Sequence, residues 1–291
     1  PHPRENIGSK YRVWPVLDFQ SAVEDHLQGV THIIRGKDLM DSTRKQTLLY
    51  GHFGWEYPET MYWGRVKVHE WGGFSTSQMR KDIEDGKFSG WADPRLPTIA
   101  GLSGTGIQAS ALRNFWIELG VTQKDIAVPL ATLYSHNIKV IDDDAPRVAF
   151  IRDPVEITLE GINESIITIP THPNNSEMGS RVIDLGNPIV YIEREDLQHS
   201  ALRLKEFGDF DIDGKVATFV SKKRTDKRKI IHWVSQNSSD SAELEIVKDG
   251  ELLTVEGRLE SHQIKSGTSV QLERIGYGII AEKNKVIFTH N

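Results

Sequence analysis

Along the first sixty or so residues, short apolar runs alternate with segments of helical spacing. YRVWPVLDF, residues 11–19, reads as a strand and VEDHLQG, 23–29, as a helix; THIIRG, 31–36, reads as a strand and DSTRKQTLLYGHFG, 41–54, as a helix. In the last of these Leu48, Leu49, His52 and Phe53 share a face, Asp41 or Ser42 can cap the start, and Gly54 can stop the helix. Strand, helix, strand, helix predicts half of an open α/β sheet. From residue 74 to about 145 the spacing is helical: Ile107, Ala111, Leu112, Phe115 and Leu119 fall on one face, Gly120 follows as a terminator, and no strand pattern interrupts. After Asp142-Asp143-Asp144-Ala145-Pro146 the period drops to two, with Val155, Ile157 and Leu159 alternating with Glu156, Thr158 and Glu160. SIITIP, NPIVYIE, KIIHWVS, AELEIVKDGELLTVE, SVQLERIGYGII and KVIFTH continue the series, and Asp249-Gly250 marks a hairpin. So many short strands separated by turn residues predict an all-β barrel or a pair of barrels.

Composition narrows the setting. At 291 residues the chain exceeds one ordinary core, so two or three domains are expected. Hydrophobic residues at 38% and charged ones at 26% suit a soluble protein, and no apolar run approaches the roughly 18 residues of a membrane span. No charged-then-apolar leader is seen, and cysteine is absent, which removes disulfides, thiolate catalysis and zinc–cysteine sites. A cytoplasmic protein is expected. The net charge of -6 argues against indiscriminate coating of nucleic acid but leaves room for a local basic patch. Lys222, Lys223, Arg224, Lys227, Arg228 and Lys229 form one, interrupted only by Thr225 and Asp226. Because the chain opens on Pro1 in mid-phrase, an interior stretch of a longer protein is expected.

Three stretches carry candidate chemistry. Gly72, Gly73, Ser75, Thr76 and Ser77 place backbone N–H groups and hydroxyls ahead of a helix, which suits phosphate; a solvent loop ending in a Ser/Thr cap is the plainer alternative. Arg35 follows an apolar strand and precedes Gly36, a position where an open α/β sheet binds ligands and where a guanidinium would grip a carboxylate. The alternative is a surface arginine paired with Asp38 or Asp41. In WADPRLPT, Pro94 and Pro97 stiffen the path that presents Asp93 and Arg95, unless this is only a helix connector with Trp91 buried. The basic cluster likewise reads as a binding patch or a solvated hairpin tip. His32, His52, His69 and His232 show no metal-ligand spacing and read as packing or hydrogen-bonding residues, and no Ser/His/Asp arrangement is seen.

The combination of HPR, DF with EDHLQGVTHIIRGKD, WGRVKV, FSTSQM, GWADPRLPT, DDAPRVAF, HPNNSEMGSR and IHWVS resembles the class I glutamyl- and glutaminyl-tRNA synthetases, in particular the archaeal-type glutamyl branch. The resemblance implies a multidomain α/β plus all-β chain. Residues 1–68 would be the second half of a Rossmann-like catalytic domain and 69–145 a helical connecting region with a KMSKS-like loop. Residues 146–291 would be two anticodon-binding β-barrels, proximal at about 146–195 plus 270–291 and distal at about 196–269. The half that carries the HIGH-type ATP signature is expected outside this chain. The resemblance also implies roles. Ser75, Thr76, Ser77 and Gln78 would close over the ATP phosphates, with Thr76 and Gln78 standing where the family often has lysine. Arg35, Leu17 and Ser21 would bind the amino acid, Leu17 replacing a common tyrosine, and Arg65 and Val66 would line the adenine pocket. Asp41, Asp93, Arg95, Arg147, Arg203, Lys222, Lys223 and Arg224 would contact tRNA, Arg147 and Arg203 at the anticodon. Glutamate, ATP with its magnesium, and glutamate tRNA, extending to glutamine tRNA, are the implied substrates, with no metal bound by the chain itself. A monomer with no membrane partner is expected. A glutaminyl enzyme and a non-catalytic tRNA-binding module are the alternatives.

Overall fold

The structure, a computed structural model, describes residues 7–224 and 227–291. Its backbone divides into two units: residues up to Gly72 with Trp116–Leu130, and Gly73–Phe115 with Ala131–Asn291.

In the first unit, helix α1 (Leu17–Leu27) leads to strand β1 (His32–Gly36), then to helix α2 (Met40–Phe53) and strand β2 (Glu59–Trp63). β1 and β2 pair in parallel with Arg35 opposite Tyr62, so α2 is the crossover of a β-α-β unit. The expected strand at 11–19 does not form. The N–H groups of Phe19 and Gln20 both turn back to the Val16 carbonyl, and α1 starts there instead. The α2 face is also not the expected one. Leu48 and Phe53 are largely exposed, whereas Gln46 and Tyr50, one turn apart, are buried, and the Tyr50 hydroxyl donates to the Ala22 carbonyl of α1 at 2.8 Å. Neither Asp41 nor Ser42 caps α2; Asp41 pairs with Lys45 a turn later. Gly54, at φ +68°, ends the helix as its position predicts. A second parallel pair, strands β3 (Val66–Val68) and β4 (Ile126–Val128), overturns the expectation that no strand interrupts the helical stretch.

The second unit holds helices α3 (Thr76–Glu84) and α4 (Ile99–Gly104). Helices α5 (Ala109–Leu119) and α6 (Leu130–Ile141) begin or end in the first unit. Ile107, Ala111 and Phe115 are buried as their spacing predicts. The strands are β5 (Arg147–Val148), β6 (Phe150–Arg152), β7 (Pro154–Glu160), β8 (Ile166–Pro170), β9 (Ser180–Asp184), β10 (Ile189–Glu193), β11 (Ala201–Leu204) and β12 (Gly208–Asp213). After them come β13 (Val216–Ser221), β14 (Lys229–Ile231), β15 (Val234–Ser235), β16 (Ser239–Lys248), β17 (Glu251–Glu260), β18 (Ser269–Leu272), β19 (Gly276–Glu282) and β20 (Lys285–His290). They build two seven-stranded, near-barrel sheets, ordered β14-β11-β12-β13-β7-β10-β15 and β5-β18-β19-β20-β16-β17-β6, with β8 and β9 as a separate hairpin. The first sheet thus draws on 154–235 and the second on 147–152 and 239–290, a grouping unlike the expected 146–195 plus 270–291 against 196–269.

Each sheet buries its own apolar face. Ile157, Leu159, Val190, Ile192, Leu202, Phe210 and Ile231 fill the first core, and Val148, Phe150, Leu244, Leu259, Val270, Ile280 and Val286 the second. The alternating burial of β7, in which Val155, Ile157 and Leu159 point inward, follows directly from its period-two pattern. The β16–β17 hairpin turns at Asp249 and Gly250, both at positive φ (+52° and +80°), the mirror-image two-residue turn that Asp-Gly favours.

Candidate functional site

Arg35 lies near the end of β1 and is partly buried. Its Nη1 donates to Gln46 Oε1 at 2.9 Å and to Thr43 Oγ1 at 3.3 Å, both on α2. The surface pairing with Asp38 or Asp41 is not formed: Asp41 and Asp18 both hold Lys45, at 2.9 and 3.2 Å. The Ser42 hydroxyl and the Lys45 ammonium keep the Asp18 carboxyl below its ordinary pKa. Ser21 Oγ donates to the Leu17 carbonyl at 2.7 Å and accepts from Gln46 Nε2 at 2.7 Å. The Leu17 side chain is 58% exposed. Arg35 and Ser21 therefore meet at one amide, that of Gln46. The sequence reading missed Gln46; a polar residue a turn before Tyr50 was its only signal.

Arg65 immediately precedes β3 and Val66 opens it. The Arg65 N–H donates to the Asp125 carboxylate at 2.7 Å, and Lys37 pairs with Asp125 at 2.9 Å. The Lys37 ammonium and the Arg65 N–H hold Asp125 below the usual carboxylate range. Gly64 just before them donates its N–H to the Thr122 carbonyl at 2.7 Å, and a Cβ there would collide with the Lys124 backbone carbonyl. This close approach locks the backbone while the Arg65 side chain stays exposed.

In the glycine–serine loop, Ser75 is the N-cap of α3, its Oγ accepting from the Gln78 N–H at 3.2 Å. The cap alternative is thus realised. Helix geometry still leaves the first-turn N–H groups of Thr76 and Ser77 as donors beside exposed hydroxyls, a setting compatible with an anion. The Gln78 amide donates to Asp82 at 3.0 Å.

Several residues expected at RNA are committed to protein partners. Asp93 is only 2% exposed; it accepts from the Ser89 N–H and hydroxyl and from the Arg95 N–H, Nε and Nη2, at 2.7–3.1 Å. Arg95 also donates to the Lys87 carbonyl at 2.9 Å and lies over the Phe88 ring at 4.8 Å. Trp91 is 41% exposed, so a connector with that ring buried is not what forms. Arg147 is buried, its guanidinium donating to the carbonyls of Asp142 and Ala145 and to the Asp142 carboxylate at 2.7 Å. That is the geometry of a structural arginine. Arg203 pairs with fully buried Asp209 at 2.6 Å and donates to the Lys222 carbonyl at 3.0 Å. Lys222 is exposed and reaches Glu164 at 3.4 Å; Lys223 and Arg224 are exposed. Farther along the cluster, Arg228 pairs with Asp211 and Lys229 with buried Asp196, both at 2.7 Å, while Thr225 and Asp226 lie outside the described residues. Of the histidines, His232 is buried, its Nε2 donating to the Phe150 carbonyl at 2.9 Å, whereas His52 and His69 are exposed.

The second unit carries charged networks that the sequence reading did not single out. Arg181 bridges Glu260 and Glu273, with Lys205 also on Glu273 at 3.2 Å; Arg274 and Lys229 converge on Asp196. Burial pushes the Glu260 carboxyl up to about 7 against the pull of Arg181. Among the described residues no group of three or more His, Cys, Asp or Glu is placed to hold a metal ion, and no helix is long and apolar enough to cross a membrane, which says nothing of strands.

Residues 2–143 match the family model described as tRNA synthetases class I (E and Q), catalytic domain, and residues 145–228 match its anti-codon binding domain. The chain belongs to the class I glutamyl/glutaminyl-tRNA synthetase family. Its relatives include the glutamate–tRNA ligases of Methanosarcina mazei, 46% identical over 80% of this chain and 43% of that protein, and of Archaeoglobus fulgidus, 39% identical over 98% and 52%. That of Natronomonas pharaonis is 36% identical over the whole chain and 52% of its own length. The chain spans about half the length of the curated relatives it matches.

Proposed function

We propose that this chain is the part of a glutamate–tRNA ligase that recognises the glutamate side chain, contributes to ATP binding and holds tRNA. The observation that carries the reading is Arg35: a guanidinium fixed at a strand end by neutral partners, Gln46 and Thr43, with no carboxylate within ion-pair distance among the described residues. Such a group favours an anionic side chain, and a glutamine amide would give it nothing to neutralise. Archaeal relatives named glutamate–tRNA ligase support the same choice.

In this reading the α-carboxylate of glutamate attacks the α-phosphate of ATP, forming glutamyl-adenylate as pyrophosphate leaves. A ribose hydroxyl at the tRNA terminus then attacks the adenylate carbonyl and AMP departs. The hydroxyls of Ser75, Thr76 and Ser77, the Gln78 amide and the α3 N-terminus stabilise the leaving pyrophosphate, and loop closure follows ATP entry. Arg65 and Val66 face the adenine, and magnesium enters with ATP as part of that substrate. The exposed Lys222, Lys223 and Arg224 attract the tRNA backbone, so binding weakens with salt. The protein works as a cytoplasmic monomer.

The test is Arg35→Ala in the full-length protein, assayed by ATP–pyrophosphate exchange. The specificity constant for glutamate should fall by a factor corresponding to about 2–5 kcal/mol, as for a charge pair cut on one side, while the KM for ATP holds. An unaltered specificity constant for glutamate overturns the reading.

A further inference from the structure

The network around Gln46 takes the site further, and it rests on the reading of the chain as a glutamate-handling one. Gln46 is 1% exposed. Its Oε1 accepts from Arg35 Nη1 at 2.9 Å and from the Tyr57 hydroxyl at 2.8 Å; its Nε2 donates to the Asp18 carbonyl at 3.1 Å and to Ser21 Oγ at 2.7 Å. The amide has four hydrogen-bonding positions, two accepting and two donating, and all are filled. Its orientation is unambiguous. A flipped amide would aim N–H groups at a guanidinium, which can only donate, and an oxygen at a carbonyl, which can only accept. One side chain on α2 thereby ties together α1 through Asp18 and Ser21, β1 through Arg35, and the segment entering β2 through Tyr57.

The charge of this arrangement matters as much as its geometry. The guanidinium is anchored through a neutral acceptor, so it is positioned without being neutralised. The carboxylates that could have compensated it are spent elsewhere: Asp18, near enough to feel the Arg35 charge, and Asp41 both hold Lys45. Among the described residues the Arg35 Nε and Nη2 donate to no protein acceptor, so the fork retains donors for a carboxylate from outside. A carboxylate at position 46 would have the same shape and would fill that demand from within the protein.

We propose that Gln46 is the positioning residue that sets amino-acid selectivity, holding Arg35 in place while leaving its charge available, so that the site takes an anionic side chain in preference to the matching amide. Ser21 and the Asp18 carbonyl lock the amide that does this, and Tyr57 shares the accepting oxygen. Gln46 contacts no substrate in this scheme and acts through Arg35.

The experiment compares the full-length wild type with Gln46→Met and Gln46→Glu by ATP–pyrophosphate exchange, with glutamate and with glutamine as the amino acid. Gln46→Met keeps the bulk and removes every hydrogen bond; the KM for glutamate should rise on the order of tenfold or more while the KM for ATP stays within about twofold. Gln46→Glu keeps the shape and pairs internally with Arg35; the ratio of glutamate to glutamine specificity constants should fall on the order of a hundredfold. A preserved ratio in Gln46→Glu overturns the proposal even if Gln46→Met fails to fold. Equal rises in the KM for glutamate and for ATP in Gln46→Met also overturn it, since they mark a general packing role. If the wild type itself shows no glutamate-dependent exchange, the glutamate reading falls and this one with it. Exchange by the wild type with selectivity intact in Gln46→Glu removes this one alone.

Discussion

Replacing Asp93 by alanine should damage the second unit more than any surface charge change. The carboxylate is 2% exposed and accepts five hydrogen bonds, three of them from Arg95, at 2.7–3.1 Å. Its removal leaves the Ser89 N–H and a largely buried guanidinium without their acceptor. Cutting one side of a buried pair costs about 3–5 kcal/mol. Arg95 keeps the Lys87 carbonyl and the Phe88 ring and has some access to water, so the low end, about 3 kcal/mol, is expected. Urea unfolding at pH 7, followed through tryptophan fluorescence, should show this as a lower midpoint with little change in slope. A double-mutant cycle with Arg95→Ala should return a coupling above about 1.5 kcal/mol. Burial alone would raise the Asp93 pKa, but the bonds from Arg95 and Ser89 outweigh it and hold the folded-state value well below the ordinary one. The stabilisation is therefore complete above the unfolded pKa, near 4, and is lost as pH falls through the folded one. The difference between wild type and Asp93→Asn should accordingly shrink below about pH 4. A cost under about 1 kcal/mol for Asp93→Ala, or strict additivity with Arg95→Ala, would refute the argument.

Two further outcomes follow from the geometry. Burial raises the folded-state pKa of Glu260 to about 7, so the protonated form is favoured and its stabilisation should be lost as pH rises through that value; unfolding of Glu260→Gln should lack this decline relative to wild type between pH 5 and 8, and parallel pH profiles would contradict it. Gly64→Ala drives a methyl into the Lys124 carbonyl and should cost about 1–3 kcal/mol, seen as a lower Tm, whereas a wild-type Tm would show that the β2–β3 link can move aside.

Local chemistry was legible in the chain wherever neighbours decide it. The period-two burial of β7, the Asp249-Gly250 turn and the Gly54 stop are all consequences of residues within a few positions of one another. What required distant partners was not. The α2 face was assigned to Leu48 and Phe53 because apolar residues ordinarily face inward, yet Gln46 is buried through its bonds to Asp18, Ser21, Arg35 and Tyr57. β4 is three residues long, too short to register as a strand before β3 is known to lie beside it. Arg35 reads from its neighbours as a strand-end guanidinium, with a surface pairing to Asp38 or Asp41 as the alternative, and only the fold shows that its bonds run to Gln46 and Thr43. Arg147 and Arg203 carry no such local mark in the sequence, and their pairing with Asp142 and Asp209 shows only in the fold.

The distribution of strands between the two sheets has a consequence for synthesis. All strands of the first sheet lie within 154–235 and can pair as soon as that length has left the ribosome, so its core closes early. β5 and β6 precede that segment, yet their partners β18 and β17 follow it, so both must wait with open edges while an entire sheet folds between them and their mates. The earliest strands to emerge in the second unit are thus among the last to find their places. Their brevity, two and three residues, keeps the waiting edges short and limits their capture by other nascent chains.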